Sequence, residues 1–244
     1  MTEKISRQEI SLILLPGMDG TGELFTPFIQ ALQANAKYVN IKTVVVSYPP
    51  NEILNYAQLT KLASAHILQN QPYILLGESF SGPIAIALAA EAGSQLKGLI
   101  LTSTFSRNPR PQLSKLSFML PTLPINALTM PIVNKFLMAN FSNENVAKLL
   151  LSSIQKVSPT VLRARLDAVI SVDYTEKLRN INVPILVLQG KSDYLVPSAT
   201  GKYIAEQAKN GELIALDTPH LLLQLAPVAA AETVLAFIEK SLNN

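Results

Sequence analysis

The 244 residues predict an α/β fold: a mostly parallel, doubly wound sheet with a helical cap insertion. Three observations lead there. Short apolar runs alternate along the chain with helical patterns. Those runs are nearly continuous rather than alternately polar and apolar, as strands covered by helices on both faces require. One connection is also far too long to be a loop. Alternating β and α segments then imply parallel strands joined by right-handed crossovers.

The strands are expected at Ser11–Leu15 (SLILL), Thr43–Tyr48 (TVVVSY), Tyr73–Leu76 (YILL), Gly98–Thr102 (GLILT), Ile185–Gln189 (ILVLQ) and Glu212–Leu216 (ELIAL). Helical patterns lie between them at Glu23–Ala34, Tyr56–Gln69, Pro83–Ala92, Ser198–Lys209 and Val228–Leu242. From about Phe105 to Asn180 there are only helical patterns and prolines, at 109, 111, 121, 124, 131 and 159. A stretch of that length between two sheet strands reads as a cap over one end of the sheet. The expected organisation is therefore a core over residues 1–104, a helical insertion over 105–180, and the rest of the core over 181–244.

Composition narrows the chemistry. A chain that is 48% hydrophobic at this length supports one domain with a sizeable core. Net charge is only +3, which argues against a nucleic-acid partner. The absence of cysteine removes disulfides, thiolate metal sites and a cysteine nucleophile, and no cofactor is expected. The opening MTEKISRQEI has charges scattered through it and no apolar core of signal-peptide length, so a cytoplasmic location is expected. Mean hydropathy is high at +0.27. Every long apolar stretch is nonetheless broken by Pro, Asn or Lys, so an apolar core or cavity explains the value better than a membrane span.

Tyr73–Gly82, YILLGESFSG, is the most informative segment. An apolar strand runs into a serine among small residues and then into an Ala-rich helix. This is close to a G-x-S-x-G elbow, in which a sharp strand-to-helix turn holds the serine hydroxyl clear of the sheet. The flanking positions must be small because the two backbones approach closely. Gly77 meets that demand, while Ser81, with Gly82 behind it, departs from the strict pattern. The plain alternative is a βα turn with Ser79 as a helix cap.

A nucleophilic serine needs a base, and the chain has two histidines. His66 sits inside a helical pattern, where a half-buried structural role fits better. His220, in LDTPHLLLQLAP, follows the last strand and precedes the last helix, at the sheet edge where ligands bind. The base in turn needs a carboxylate to fix its tautomer. Asp193, in GKSDYLVP after strand ILVLQ, is favoured over Asp217 in the His220 loop and over Asp173 near the end of the insertion. The chain order Ser79, Asp193, His220 suits a triad carried on successive strand ends.

GESFSG, GKSDYLVP and PHLLLQLAP together resemble the α/β-hydrolase fold superfamily over nearly the whole chain, in particular small serine carboxylesterases and lipases and acyl-carrier methyl esterases. The N-terminal antiparallel strands common in that superfamily are mostly missing. The resemblance implies an oxyanion hole made by two backbone N–H groups, those of Phe80 after the nucleophile and Met18 in the loop LLPGMDGTGELF. Gly17, Gly20 and Gly22 are also open to reading as a phosphate-cradling loop, but no G-x-G-x-x-G or G-K-[ST] pattern is present and Asp19 would repel a phosphate. The PGMDGTG opening is similar to that of bacterial hydrolases and plastid acyltransferase-like proteins acting on lipid esters.

The insertion is rich in apolar residues, namely Leu116, Phe118, Met119, Leu120, Leu123, Ile125, Leu128, Met130, Ile132, Val133, Phe136, Leu137 and Met138. They either pack the cap or wall an acyl-chain tunnel. Eight basic residues between Phe105 and Val172 face only Glu144 and Asp167, a local surplus that would suit an acyl carrier protein or an anionic membrane surface as well as a merely solvated face. The expected activity is cofactor-independent hydrolysis of a small-molecule carboxylic ester through an acyl-enzyme. An acyltransferase, a thioester hydrolase and a non-catalytic ligand-binding member of the fold are the alternatives.

Overall fold

The computed structural model describes residues 9–35, 40–68, 70–112, 130–141 and 143–243. Six strands, β1 (Ile10–Leu15), β2 (Ile41–Val45), β3 (Tyr73–Glu78), β4 (Leu96–Thr102), β5 (Ile185–Gly190) and β6 (Gly211–Leu216), form one sheet in the order β2-β1-β3-β4-β5-β6. Every neighbouring pair is parallel. Every residue of β1, β3 and β5 is buried, as their continuous apolar sequences require.

Side chains alternate between the two faces of a strand, so each strand feeds two cores. Ile13, Leu15, Leu75, Leu99 and Leu101 face Leu59 and Ala63 of α2 (Tyr56–Ser64), Ile84 and Leu88 of α3 (Gly82–Ala90), and Ile204 of α8 (Ser198–Gln207). Leu12, Leu14, Ile74, Leu76 and Ile100 face Phe28 and Leu32 of α1 (Thr26–Asn35) and Val234, Phe237 and Ile238 of α10 (Pro227–Leu242). Helix α3, GPIAIALAA, has almost no polar side and is buried over nearly its whole length.

The strand order places the site. β1 pairs with β2 on one side and β3 on the other, so the chain leaves β1 in one direction and returns past it. At such a switch point the loops after the two strands diverge and open a crevice at the carboxyl edge. The loop after β1 and the serine turn after β3 meet there.

Between β4 and β5 lie α4 (Met130–Met138), α5 (Glu144–Gln155), α6 (Pro159–Ser171) and the short α7 (Thr175–Arg179). Residues 113–129, with seven of the apolar positions singled out above, lie outside the described residues, as do the side chains of Met130 and Ile132. The two ends of this segment are stitched together by one antiparallel bridge, Arg107 to Asp173. Within it, Tyr174 N–H donates to Ser106 O (2.7 Å) and Asn108 N–H to Val172 O (3.1 Å).

Several boundaries differ from the sequence reading. β2 begins at Ile41, because its pairing with β1 starts opposite Ile10, and it ends before Tyr48, whose N–H turns away to Gly20 O (2.7 Å). The first helix opens as a 3-10 turn over Glu23–Phe25 before α1. α2 stops at Ser64, where the bonds tighten to the i→i+3 pattern of a closing turn, so His66 lies beyond the helix. A four-residue helix, α9 (Leu222–Leu225), precedes α10 and is separated from it by Ala226. Among the described residues no helix is long and apolar enough to cross a membrane.

β5 ends at Gly190 against the backbone that leads to His220. A Cβ there would stand 2.6 Å from Thr218 O and collide with Pro219 O, whereas one at Gly93 would meet nothing within 4 Å. Overpacking of this kind costs about 1–3 kcal/mol. Gly190→Ala is therefore expected to lower the melting temperature by several degrees, and Gly93→Ala to leave it within about a degree. Thermal unfolding followed by circular dichroism checks this; equal values for the two variants would contradict the packing described.

Candidate active site

The turn between β3 and α3 is sharp because Ser79 has φ +49°, in the left-handed region that side chains other than glycine rarely adopt. Close packing enforces it. A Cβ on Gly77 would stand 2.7 Å from Ala85 Cβ and 2.9 Å from Ser81 O, and one on Gly82 would overlap Thr104 Oγ1. The hydroxyl of Thr104 donates to Ser79 O, as does the N–H of Gly82. Gly82, one position beyond the strict pattern, must therefore also be small. Ser81 is used differently: its buried hydroxyl donates to Pro16 O and lies 2.7 Å from Tyr48 Oη.

Ser79, His220 and Asp193 come together at the carboxyl edge of the sheet. Ser79 Oγ is 2.9 Å from His220 Nε2, and His220 Nδ1 is 2.8 Å from Asp193 Oδ2. A carboxylate only accepts, so Nδ1 carries a proton and Nε2 of the neutral ring is left to accept the serine hydroxyl. The His220 and Asp193 side chains are 4% and 0% exposed, while Ser79 is half-buried. Asp193 is itself held: Oδ1 accepts from Leu195 N–H (2.9 Å) and Val196 N–H (2.8 Å). Gln189, the polar last-but-one residue of β5, reaches toward Oδ2 (3.4 Å) and donates to Val196 O (3.1 Å).

The rival residues do not join this group. Asp217 is exposed, and Asp173 accepts from Thr175 N–H (3.0 Å) at the foot of α7, a bond that holds its carboxyl below the usual range. His66 stays in the turn after α2, its N–H bonded to Ala63 O.

The loop after β1 presents a complete set of satisfied carbonyls. Pro16 O accepts from Ser81, Gly17 O from Gly20 N–H (3.0 Å), and Gly20 O from Tyr48 N–H (2.7 Å). Met18 O and Asp19 O both accept from Nη1 of Arg165, at 2.8 and 3.0 Å. Because C=O and N–H point oppositely across a trans peptide, fixing Gly17 O also fixes the direction of Met18 N–H. Phe80 N–H lies in the serine turn, with the Phe80 ring stacked on Tyr56 at 4.9 Å between centroids.

A comparison with known families settles the class. Residues 55–218, more than half of the chain and including Ser79 and Asp193, match the Hydrolase_4 family model, described as serine aminopeptidase, S33. The chain belongs to that family. It is a hydrolase of the α/β-hydrolase superfamily. A protein named "Putative carbamate hydrolase RutD" from Caulobacter sp. (strain K31) is 26% identical, over 93% of this chain and 90% of its own. The bifunctional esterase/perhydrolase DCH of Acinetobacter calcoaceticus is 40% identical over a shorter stretch, 31% of this chain and 29% of its own. The enol-lactonase of Burkholderia xenovorans LB400 shares the fold with a TM-score of 0.79 at 19% identity, over 96% of this chain and 92% of its own.

Next to the serine, this family member carries a buried carboxyl group that no sequence motif marks. Glu78 is buried; Gln224 Nε2 of α9 donates to its Oε1 (2.9 Å), and Oε2 has no hydrogen-bond partner among the described residues. Burial pushes its pKa up to about 7, with the nearby Asp19 adding to the rise and Gln224 and His220 opposing it. A raised carboxyl pKa means that the folded state binds the proton more tightly than the unfolded one. The associated stability is fully present below about pH 4.5 and lost as the pH passes about 7, an effect on the order of 3 kcal/mol. Glu78→Gln cannot ionise, so its melting temperature is expected to gain on the wild type between about pH 5 and pH 8. A constant difference across that range, read by scanning calorimetry, would mean that Glu78 does not titrate there.

Proposed function

We propose that this hydrolase cleaves carboxylic esters of apolar acyl groups through an acyl-enzyme on Ser79. The observation that carries the proposal is the serine hydroxyl held at 2.9 Å from His220 Nε2 on a left-handed turn at the carboxyl edge of the sheet. Ser79 Oγ attacks the ester carbonyl carbon while its proton passes to His220 Nε2. Asp193 holds the ring and stabilises the imidazolium. The backbone N–H groups of Met18 and Phe80 receive the developing oxyanion. As the carbon–oxygen bond to the leaving alcohol breaks, His220 returns the proton to that oxygen. A water then gives its proton to His220 and attacks the acyl-enzyme, releasing the acid and restoring the serine.

Ester rather than charged substrates are favoured by what surrounds the triad. Leu24, Met138, Val146, Leu150 and Leu221 form an apolar cluster next to His220, and Leu221 N–H donates to Leu137 O of α4 (3.1 Å). The insertion's basic residues are partly paired, two of them with its own two acids and one with Glu23, so most of its positive surplus remains. Lys148, Lys156 and Arg163 pair with Glu144, Glu23 and Asp167. Arg110 donates to Tyr194 O and Leu195 O, and Arg107 lies over the Tyr203 ring (3.9 Å). Lys115 lies outside the described residues, and Lys135 is exposed on α4. The relative from Acinetobacter calcoaceticus named as an esterase/perhydrolase supports an ester substrate over the 31% of this chain that it matches.

Wild-type protein is expected to hydrolyse p-nitrophenyl esters, with turnover falling by roughly 10^6 in Ser79→Ala and about 10^4 in Asp193→Asn. Steady-state kinetics over a series from acetate to palmitate test this. Turnover that survives Ser79→Ala would remove the mechanism.

A further inference from the structure

We infer that Arg165, on helix α6 of the insertion, is a positioning residue for the oxyanion hole. The inference rests on the ester-hydrolase reading above. Arg165 is 2% exposed, and its guanidinium reaches three backbone oxygens: Met18 O and Asp19 O through Nη1, and Pro49 O through Nη2 (3.2 Å). Its head lies 5.7 Å from the centroid of the Tyr48 ring. A Cβ on Gly20 would come within 2.5 Å of Nη1, so the loop is shaped to admit the group.

The geometry explains why that matters. Met18 sits between two peptide planes. The plane before it is set by the bond from Gly20 N–H to Gly17 O, which aims Met18 N–H away from Gly20. The plane after it is set by Arg165 through Met18 O, and the next plane again by Arg165 through Asp19 O. Without the guanidinium, two consecutive carbonyls lose their donor and Met18 is gripped from one side only. The helix that delivers Arg165 is tied to the same region, since Ser158, its N-cap, donates its N–H to Pro50 O (3.0 Å).

Stability alone is a poor reason for this arrangement. Burying a guanidinium among neutral carbonyls carries a desolvation cost, and that burial lowers its pKa. The carboxylate of Asp19, the nearest anion, is itself turned to Thr21 N–H (2.9 Å) and the Thr21 hydroxyl (2.6 Å). What the guanidinium holds is backbone, at the loop that carries the proposed oxyanion donor.

The test compares wild type, Arg165→Ala and Arg165→Lys in p-nitrophenyl ester hydrolysis, with urea unfolding of each. Arg163→Ala, which breaks an exposed ion pair on the same helix, is the control. Arg165→Ala is expected to lower kcat about 10^2-fold, the effect of misplacing a transition-state contact by about 1 Å, with KM little changed. Arg165→Lys, a single-point donor, should restore only part of that loss. Millimolar guanidinium should raise kcat of Arg165→Ala, whereas sodium chloride of equal ionic strength should not. Wild-type kcat in Arg165→Ala overturns the inference. So does a rise in KM alone, or a kcat loss that guanidinium does not relieve and that follows the unfolding midpoint. A wild type without esterase turnover rejects the functional reading and this inference with it. An active wild type with an unaffected Arg165→Ala rejects the inference alone.

Discussion

A left-handed backbone at a residue with a side chain is unfavourable by roughly 1–3 kcal/mol and persists only where its surroundings over-determine it. Ser79 is in that conformation, and much of the molecule bears on keeping it there. β3 enters the turn buried on both faces, α3 leaves it almost wholly apolar, and the two are close enough that Gly77 and Gly82 have no room for a methyl group. Thr104, two residues past the end of β4, closes the turn from the side through Ser79 O. The result is a hydroxyl lifted off the sheet edge and aimed at His220.

The same economy of backbone groups extends outward. Each of the other loops at the carboxyl edge is held by a hydrogen bond from the insertion. Arg165 holds the loop after β1, Arg110 holds the acid loop at Tyr194 and Leu195, and Leu137 O receives the N–H that follows His220. The helices between β4 and β5 are therefore part of what orients the site. Arg165 fixes the plane of Gly20 N–H through Asp19 O, and that N–H bonds Gly17 O, whose peptide plane carries Met18 N–H. Glu78 and Gln224 add a buried polar layer beneath the serine, and Tyr48 and Ser81 link the turn to the loop after β1.

Much of this was legible in the chain. Continuous apolar runs marked the strands, and the positions of Ser79, Asp193 and His220 just past strand ends marked the group that the fold draws together. Local spacing misled at two places. Ser81 stood out as a departure from the elbow pattern, yet the clash falls on Gly82, because the limiting neighbour is Thr104, in the segment that follows β4. His66 read as helical because the apolar period continues past Ser64, while the backbone tightens and turns. Arg165 gave no local sign at all. Its partners, Met18 and Asp19, are 147 and 146 residues away, and a charged residue in a helical pattern ordinarily reads as solvated. Gln189 and Glu78 were visible only as polar residues at the ends of apolar strands, a feature that marks the sheet edge without naming the partner.

On the mechanism proposed above, the strained serine is the nucleophile and His220 activates it. Reaction with a fluorophosphonate, followed by peptide mapping with mass spectrometry, tests it most directly. The expected result is one phosphonyl group per chain on the peptide bearing Ser79, formed far more slowly in His220→Ala. Stoichiometric label on a different residue, or equal rates with and without His220, would contradict it.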